Sequence, residues 1–155
     1  MSKSAPPRSH DELERYLPYL VNRLASLGQA AQSRALQGSG SGIGLVTMRT
    51  LSVLHIEDGL TINEIAARTF TEQSTTSRAV DAMVVQGLVE RRVPPEDQRR
   101  REVVLTERGR AELAANWPAM DEYFAAIGDG ISPQDRDKCR SVLARMLANL
   151  ERLTP

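Results

Sequence analysis

The chain has 155 residues, and its 20 basic residues balance 20 acidic ones. This length fits one domain or one compact protomer, and a hydrophobic fraction of 41% is enough to bury a core. A single cysteine excludes an intrachain disulfide and a cysteine-based metal site. No apolar run approaches the roughly 18 residues of a membrane span, and the N-terminus lacks the apolar segment of a signal peptide. We therefore expect a soluble, cytoplasmic protein without a membrane partner.

The N-terminal part predicts one helix followed by a flexible connector. The first nine residues are polar and include two prolines, so we expect them to fray. Ser9 and Glu12 fit a capping box, and apolar residues then keep helical spacing for four turns. Pro18 interrupts this pattern, which predicts either a kink near it or a helix that begins at Leu17. Residues 37–42 are rich in glycine and serine, which is typical of a flexible connector.

Two further helices are predicted after the connector. The first spans residues 45–57 and has an apolar side at helical spacing. That side consists of Met48, Leu51 and Leu54. The second begins at Thr61, because Thr61 and Glu64 fit the capping box in which hydroxyl and carboxylate each accept from the other residue's backbone N–H. Its Ala66 is small enough to let another helix cross closely.

The next helix, predicted over residues 73–85 with Thr71 or Glu72 as its N-cap, has two distinct faces. The face expected to pack inward consists of Thr76, Val80, Met83 and Val84. The opposite face carries Ser74, Thr75, Ser77, Arg78 and Asp81. Hydroxyls can bond phosphates or base edges, and an arginine can bridge guanine O6 and N7, so this second face suits a DNA groove. The same residues are ordinary on a solvated helix face, and for this helix alone that alternative stays open.

A β-hairpin is predicted directly after that helix. Gly87 stands where the end of a helix needs a left-handed residue. Strands are expected over residues 88–93 and 99–106, joined by a turn at residues 94–97, because neither proline of that turn can donate to a ladder. The inward positions of the second strand are expected to be Val103 and Leu105.

Positive charge is concentrated on this hairpin. Residues 88–101 contain five arginines and three acidic residues, which leaves 15 basic and 17 acidic residues for the rest of the chain. Such a local excess is the electrostatic pattern of a phosphate-binding surface. The alternative is a hairpin tip kept soluble by charge, but the helix pair joined directly to it favours DNA binding.

The hairpin also carries a spaced pattern of specific residues. It runs through Gly87, Leu88, Val89 and Arg91, then Asp97 and Arg99, then Leu105 and Thr106, and finally Gly109. This pattern, together with Ser74, Thr75, Ser77 and Arg78 before it, resembles the MarR family of winged-helix transcriptional regulators. The resemblance is sharp over about residues 60–110 and consistent in layout over the whole chain. The chain departs from the pattern in two places: Thr69-Phe70-Thr71 replaces the apolar-glycine-apolar turn, so Phe70 is expected to pack inward, and Thr76 replaces an apolar residue.

Two C-terminal helices complete the predicted layout. Thr106 can cap a helix that Pro118 bends or divides and that continues to Ile127. Ser132 followed by proline predicts the start of the last helix, over residues 132–153. Cys139 lies on the apolar stripe of that helix, where a buried thiol is expected to be inert.

The resemblance implies a mainly α fold with a small β-hairpin wing: a winged helix-turn-helix of six helices that forms a MarR-like dimer. Residues 1–155 would be a single protomer, with residues 45–110 as the DNA-binding lobe and residues 10–37 and 111–153 as dimerisation helices. Wide apolar stripes on the terminal helices agree with packing against a second copy. The alternative is that these helices complete a monomeric core.

The function expected is sequence-specific binding to double-stranded DNA by a transcriptional regulator, a ligand-responsive repressor acting as a homodimer on a palindromic operator. The candidate DNA contacts are Ser74, Thr75, Ser77 and Arg78 on the recognition helix and Arg99, Arg100 and Arg101 on the wing. Asp97 is expected to shape the wing as the partner of an arginine. The alternatives are a winged-helix protein-interaction module and a small-molecule-binding scaffold, both without a DNA role.

No motif in the sequence indicates an enzymatic activity or a bound cofactor. The sequence contains no phosphate-binding P-loop, zinc-protease or nucleophile-elbow motif, so we expect no catalytic residues, no metal and no cofactor. His10 and His55 lie in different predicted elements without a cluster of acids or cysteines. The family resemblance implies a small aromatic effector. Its conceivable pocket walls, each expected rather to be core, are Tyr16, Met48, His55 and Trp117.

Overall fold

The structure is a computed structural model that describes residues 5–40 and 42–153. Ser41 of the predicted connector and the first four residues of the N-terminal segment lie outside this description. The described ranges hold seven helices and one two-stranded antiparallel sheet. In chain order these are α1 (His10–Glu14), α2 (Leu17–Gly38), α3 (Leu45–Ile56), α4 (Ile62–Thr69), α5 (Gln73–Val85), β1 (Val89–Arg92), β2 (Glu102–Leu105), α6 (Glu107–Ile127) and α7 (Pro133–Leu153). The chain forms two compact units, Met1–Met120 and Asp121–Pro155.

The mainly α fold with its hairpin wing is confirmed, and the count of six helices is one too low because the N-terminal helix is split. The Ser9 hydroxyl accepts the Glu12 N–H at 3.2 Å and caps the short α1. The Glu12 carboxylate accepts from Arg8 N–H at 2.8 Å, so the reciprocal half of that capping box is not formed. Pro18 lies in the first turn of α2, where its missing N–H has no helical partner to lose. Of the two predicted outcomes at Pro18, the helix that begins at Leu17 is therefore the one observed.

Helices α3, α4 and α5 pack with the hairpin around one apolar core. The predicted inward residues of α3 and the central ones of α5 are fully buried, and Val84 is half-buried. The buried apolar residues of this core are Leu36, Met48, Leu51, Leu54, Leu60, Ile65, Val80, Met83, Leu88, Val89, Val103, Leu105, Leu113 and Met120. Through this core α5 packs against α3, α4 and β1.

The ends of α4 and α5 are set by left-handed residues. Thr61 and Glu64 form the predicted capping box at the start of α4. Helix α4 ends at Phe70, which has φ 53° and ψ 44°, and Thr71 N–H donates to the Ala66 carbonyl at 3.0 Å. This closure requires the left-handed backbone, and the buried face of α4 consists of Ile65, Ala66 and Thr69. The prediction that Phe70 packs inward is wrong, since 88% of its surface is exposed.

Gly87 takes the predicted left-handed conformation, with φ 70°, at the end of α5. Its N–H donates to the Val84 carbonyl at 3.0 Å, and Leu88 N–H donates to the Met83 carbonyl at 2.9 Å. These two bonds form a Schellman closure, which turns the chain from α5 directly into β1. The wing therefore begins within four residues of the end of α5.

The hairpin strands are shorter than predicted, and residues 93–101 form a longer loop between them. The pairing register runs from Val89 opposite Leu105 to Arg92 opposite Glu102. Turn bonds around Asp97 draw the backbone away from the ladder: Asp97 N–H donates to Pro94, and Arg100 N–H donates to Asp97. On its other side β2 is covered by Leu60, whose carbonyl accepts Val103 N–H at 2.8 Å. All four residues of β2 are therefore buried, rather than alternate ones.

Helix α6 begins where β2 ends. The Thr106 hydroxyl accepts Gly109 N–H at 3.0 Å and caps the helix as predicted. The helix continues through Pro118 to Ile127, so the predicted division at that proline does not occur. In the second unit the Ser132 hydroxyl accepts Asp135 N–H at 3.1 Å and starts α7.

Apolar residues on the terminal helices are exposed in the single chain. On α2 they are Leu17, Leu20, Val21, Leu24 and Leu27, and on α7 they are Val142, Leu143, Leu147, Leu150 and Leu153. Cys139 is also exposed, so the expectation of a buried thiol is wrong for the isolated chain, because α7 buries none of its residues there. Among the described helices, none is both long enough and apolar enough to cross a membrane.

Candidate nucleic-acid interface

Helix α5 presents the residues that the sequence predicted for a groove. Ser74 and Arg78 are exposed, while Thr75 and Ser77 are half-buried at the edge of the helix. The Arg78 Nε donates to the Ser74 carbonyl of the same helix at 3.3 Å. In the described part of the chain the guanidinium of Arg78 makes no ion pair, so its charge is available to a ligand outside the protein.

Helix α5 also carries an acidic group that is paired. The Asp81 Oδ1 lies 2.6 Å from the Arg91 Nη2, and this bond ties the outer face of α5 to β1. The sequence placed Asp81 on the outer face but carried no signal for its partner, which is ten residues further on. The pair neutralises the carboxylate that would otherwise repel phosphates near Arg78.

The wing arginines fall into two groups. Arg91, Arg92 and Arg100 form ion pairs with acidic residues of the lobe. Arg99 and Arg101 pair with no carboxylate within the described ranges. The Arg101 guanidinium donates to the Gln98 carbonyl at 2.7 Å, which leaves its charge uncompensated. As far as the chain is described, the wing therefore presents two positive charges that make no ion pair, on Arg99 and Arg101.

Asp97 is the partner of an arginine within the wing, as predicted. Its Oδ1 accepts the backbone N–H of Arg99 at 2.9 Å, a bond that fixes the turn between the strands. Arg99 itself is exposed.

Arg92 and Arg100 belong to one ion-pair chain with Glu102 and Glu64. Glu102 accepts from Arg92 and from Arg100, each at 2.9 Å, and these bonds hold the pKa of the Glu102 carboxyl below its ordinary value. Arg100 also lies 2.9 Å from Glu64 Oε2. The pKa of Glu64 is lowered first by the backbone N–H and hydroxyl of Thr61 and then by Arg100. The same bonds raise the pKa of Arg92 and Arg100. None of these pairs was visible in the sequence, because the partners lie on different elements.

Three of the four residues considered as effector-pocket walls are not core in the single chain. Met48 is buried, with 2% of its surface exposed. Tyr16 and Trp117 are nearly half exposed, and His55 is exposed, because α2, α3 and α6 turn these positions away from the lobe core. In the described ranges no three His, Cys, Asp or Glu side chains are grouped so that they could hold a metal ion.

Comparison with known proteins identifies the family. Residues 41–100 match the MarR family model. Two crystal structures of MarR family transcriptional regulators from Silicibacter pomeroyi are similar to nearly the whole chain. One has 38% identity and a TM-score of 0.78, covering 92% of this chain and 96% of that one. The other has 34% identity and a TM-score of 0.83, covering 95% of this chain and 97% of that one.

A more distant relative agrees with this. An uncharacterized helix-turn-helix transcriptional regulator of Bacillus subtilis, YdgJ, is 24% identical over 113 residues, which cover 73% of this chain and 69% of YdgJ. These similarities show that the chain belongs to the MarR family of DNA-binding transcriptional regulators.

Proposed function

We propose that this regulator binds double-stranded DNA sequence-specifically as a homodimer on a palindromic operator and represses transcription until a small ligand releases it. One observation supports the DNA contact above all. Among the described residues, helix α5 exposes Ser74 and an Arg78 that makes no ion pair, and Arg99 and Arg101 of the wing pair with no carboxylate. Hydroxyls and guanidinium groups on adjoining elements are the donors that phosphates and base edges accept.

In this proposal the two elements have different roles. Ser74, Thr75, Ser77 and Arg78 enter the major groove, where a guanidinium can bond guanine O6 and N7 together. The wing follows the backbone, with Arg99 and Arg101 toward the minor groove. Arg100 belongs to the same predicted set, but its guanidinium is engaged by Glu64 and Glu102, so its share in DNA contact is the smallest of the three.

The exposed leucines of α2 and α7 support the dimer. Covering one such side chain contributes on the order of 1.5–3 kcal/mol, and each of these helices exposes several of them. A two-fold dimer would present two α5 helices to successive major grooves about 34–36 Å apart, which requires a palindromic site.

The ligand response is proposed by analogy with structures of the same fold. CouR from Rhodococcus jostii RHA1, with a TM-score of 0.75 and 21% identity, is bound to p-coumaroyl-CoA in its crystal structure. The half-exposed rings of Tyr16 and Trp117 in the present chain are candidate contacts for a small aromatic effector.

The test is a binding titration with duplex DNA from upstream of the protein's own gene, followed over a range of salt concentrations, with random duplex as competitor. We expect preference for the operator of at least about 10³-fold, with affinity falling steeply as salt rises. A monomer without salt-sensitive affinity for any duplex would contradict the proposal. If that monomer bound an acidic protein, we would infer a protein-interaction module. If it bound only an aromatic ligand, we would infer a small-molecule-binding scaffold.

Substitution of Arg78 distinguishes a base contact from a phosphate contact. If Arg78 reads a base, Arg78→Ala costs roughly 1–3 kcal/mol of binding free energy on the operator and much less on random DNA. Glu72→Gln is the control, because Glu72 lies at the start of the same helix without a side-chain cap bond. Equal losses on both DNAs would assign Arg78 to a phosphate.

A further inference from the structure

The Arg100 guanidinium connects three parts of the lobe. Its Nη2 lies 2.9 Å from Glu64 Oε2 on α4 and 3.2 Å from the Gly59 carbonyl oxygen ahead of α4. Its Nε lies 2.9 Å from Glu102 Oε1 at the start of β2. A single side chain from the wing loop thus reaches the helix-turn-helix and the base of the hairpin together.

Glu102 also pairs with Arg92 on the facing strand. It stands opposite Arg92 in the last register pair before the loop, and its Oε2 accepts from Arg92 Nη2 at 2.9 Å. The residue is 9% exposed, so its charge depends on these guanidinium partners. The chain Glu64–Arg100–Glu102–Arg92 therefore joins α4 to both strands.

The hairpin needs such a support. Each strand has four residues, and an isolated two-stranded hairpin is marginally stable at best. Loop residues 93–101 contribute turn bonds of their own but no ladder beyond Arg92 and Glu102. Apart from the buried Pro94 at its start, the loop that carries Arg99 and Arg101 is held to the helix-turn-helix through Arg100.

We propose that Glu64 and Glu102 are positioning residues for DNA binding: through Arg100 they fix the wing loop against the helix-turn-helix, so that Arg99 and Arg101 point toward the duplex that α5 engages. The inference rests on the proposed DNA-binding function. It adds two acidic residues, Glu64 and Glu102, to those on which DNA affinity depends. Acting through Arg100, neither carboxylate needs to touch the nucleic acid.

A purely electrostatic role of Glu64 predicts a change in DNA affinity of the opposite sign to that expected from a positioning role. If Arg100 were a phosphate contact held back by its acidic neighbours, removing the charge of Glu64 would release it and strengthen DNA binding. If Glu64 positions the wing, removing its charge weakens DNA binding, although the protein has become more positive. The sign of the change therefore separates the two roles.

Glu64→Gln is the informative variant, because glutamine retains the capping role at the third position of α4 while losing the charge. Glu96→Gln is the matched control: it removes one charge from the wing loop at a residue that makes no ion pair among the described residues. DNA affinity and its salt dependence are measured for the wild type and both variants. Hydrogen exchange of residues 93–101 is measured on the same proteins without DNA.

We expect Glu64→Gln to bind about threefold to fivefold more weakly than the wild type, as for loss of a partly exposed ion pair, with faster exchange in the wing loop. Glu96→Gln should bind at least as tightly as the wild type, with unchanged exchange. In an Arg100→Gln background the effect of Glu64→Gln should disappear, since the two residues act as one unit.

Two results would overturn the inference in distinguishable ways. If the wild type binds its operator and Glu64→Gln binds as tightly as Glu96→Gln, or exchanges no faster in the wing loop, the positioning role is wrong while the proposed function stands. If the wild type binds no duplex DNA, the proposed function fails and the positioning role fails with it.

Discussion

At the scale of single residues, Gly109 is the position with the least space. A β-carbon built there would lie 2.1 Å from the Leu88 carbonyl oxygen and 2.7 Å from Leu105 Cδ1. The first turn of α6 therefore packs directly on the backbone of the hairpin junction. Any side chain at this position must push the helix and the hairpin apart.

We predict that Gly109→Ala lowers the free energy of unfolding by roughly 2–4 kcal/mol, measured by urea denaturation. Gly38→Ala is the control, because Gly38 lies in the last turn of α2 and a β-carbon placed on it would meet nothing within 4 Å. That substitution should be neutral or slightly stabilising. A Gly109→Ala protein as stable as Gly38→Ala would contradict the close packing.

Phe70 has a left-handed backbone that a side chain disfavours, and 88% of its surface is exposed, so it gains little from burial. Glycine adopts this conformation without the steric cost. We predict that Phe70→Gly raises the free energy of unfolding by about 0.5–1 kcal/mol. Phe70→Ala removes the ring but keeps the β-carbon, so it should show no such gain. Equal unfolding midpoints for the two variants would mean that the left-handed backbone stores no strain.

At the scale of elements, the wing should be sensitive to acid. The pKa values of Glu64 and Glu102 are lower in the folded protein than the ordinary value of 4.5, because hydrogen bonds from Thr61 and the arginines favour the charged carboxylates. A group of this kind contributes stability that is fully present above the unfolded pKa and is lost as the pH falls through the folded pKa.

We predict that the free energy of unfolding falls below about pH 4.5 and that Glu64→Gln reduces the slope of this fall. Urea denaturation at a series of pH values between about 3 and 6 measures the free energy of unfolding and its slope against pH. Glu96→Gln, which removes a carboxyl outside the ion-pair chain, should leave more of the slope in place. Identical slopes for the wild type and Glu64→Gln would show that Glu64 contributes nothing through its charge.

Local signals explain which elements could be predicted from the sequence. The capping box at Thr61 and the left-handed Gly87 involve residues within five positions of each other, and α5 has the predicted bounds of residues 73–85. The strand ends were misplaced because they depend on distant groups. Leu105 N–H donates to Asp58 Oδ1 at 2.8 Å across 47 positions, and Leu60 covers Val103.

In the candidate site, too, local features could be predicted from the sequence, whereas pairing between distant residues could not. The hydroxyls and Arg78 of α5 follow from helical spacing; Ser74 and Arg78 are exposed accordingly, while Thr75 and Ser77 are half-buried. Which wing arginines are unpaired does not follow from spacing, since Arg100 is engaged by Glu64 from 36 positions away. Adjacent arginines with the same side chain thus differ in role because of the fold around them.

At the scale of the whole molecule, exposed apolar surface is the main property that one chain alone does not account for. Helix α7 buries no residue, although five of its apolar side chains lie at helical spacing. Monomeric proteins rarely leave contiguous patches of this kind uncovered. A second copy of the chain is the partner that we propose for them.

We predict that the double substitution Leu147→Glu and Leu150→Glu converts a dimer into a monomer, because two charges would have to be buried at the apolar face. Sedimentation measures the mass, and operator affinity should fall sharply when two half-sites are no longer bound by one assembly. The pair Ser141→Glu and Ala148→Glu adds the same charge to another face of α7 and should leave the dimer intact. A monomeric wild type would contradict the prediction at once.

Thr106 is the only residue between β2 and α6, and this short junction has a mechanical consequence. Its hydroxyl accepts from Gly109 N–H on the helix side and donates to the Gly87 carbonyl at 2.7 Å on the hairpin side. With no slack in the chain and no gap at Gly109, the first turns of α6 and the hairpin must move as one body. A force that tilts those turns is therefore transmitted to the strands at the base of the arginine-bearing loop, without contact at the loop itself.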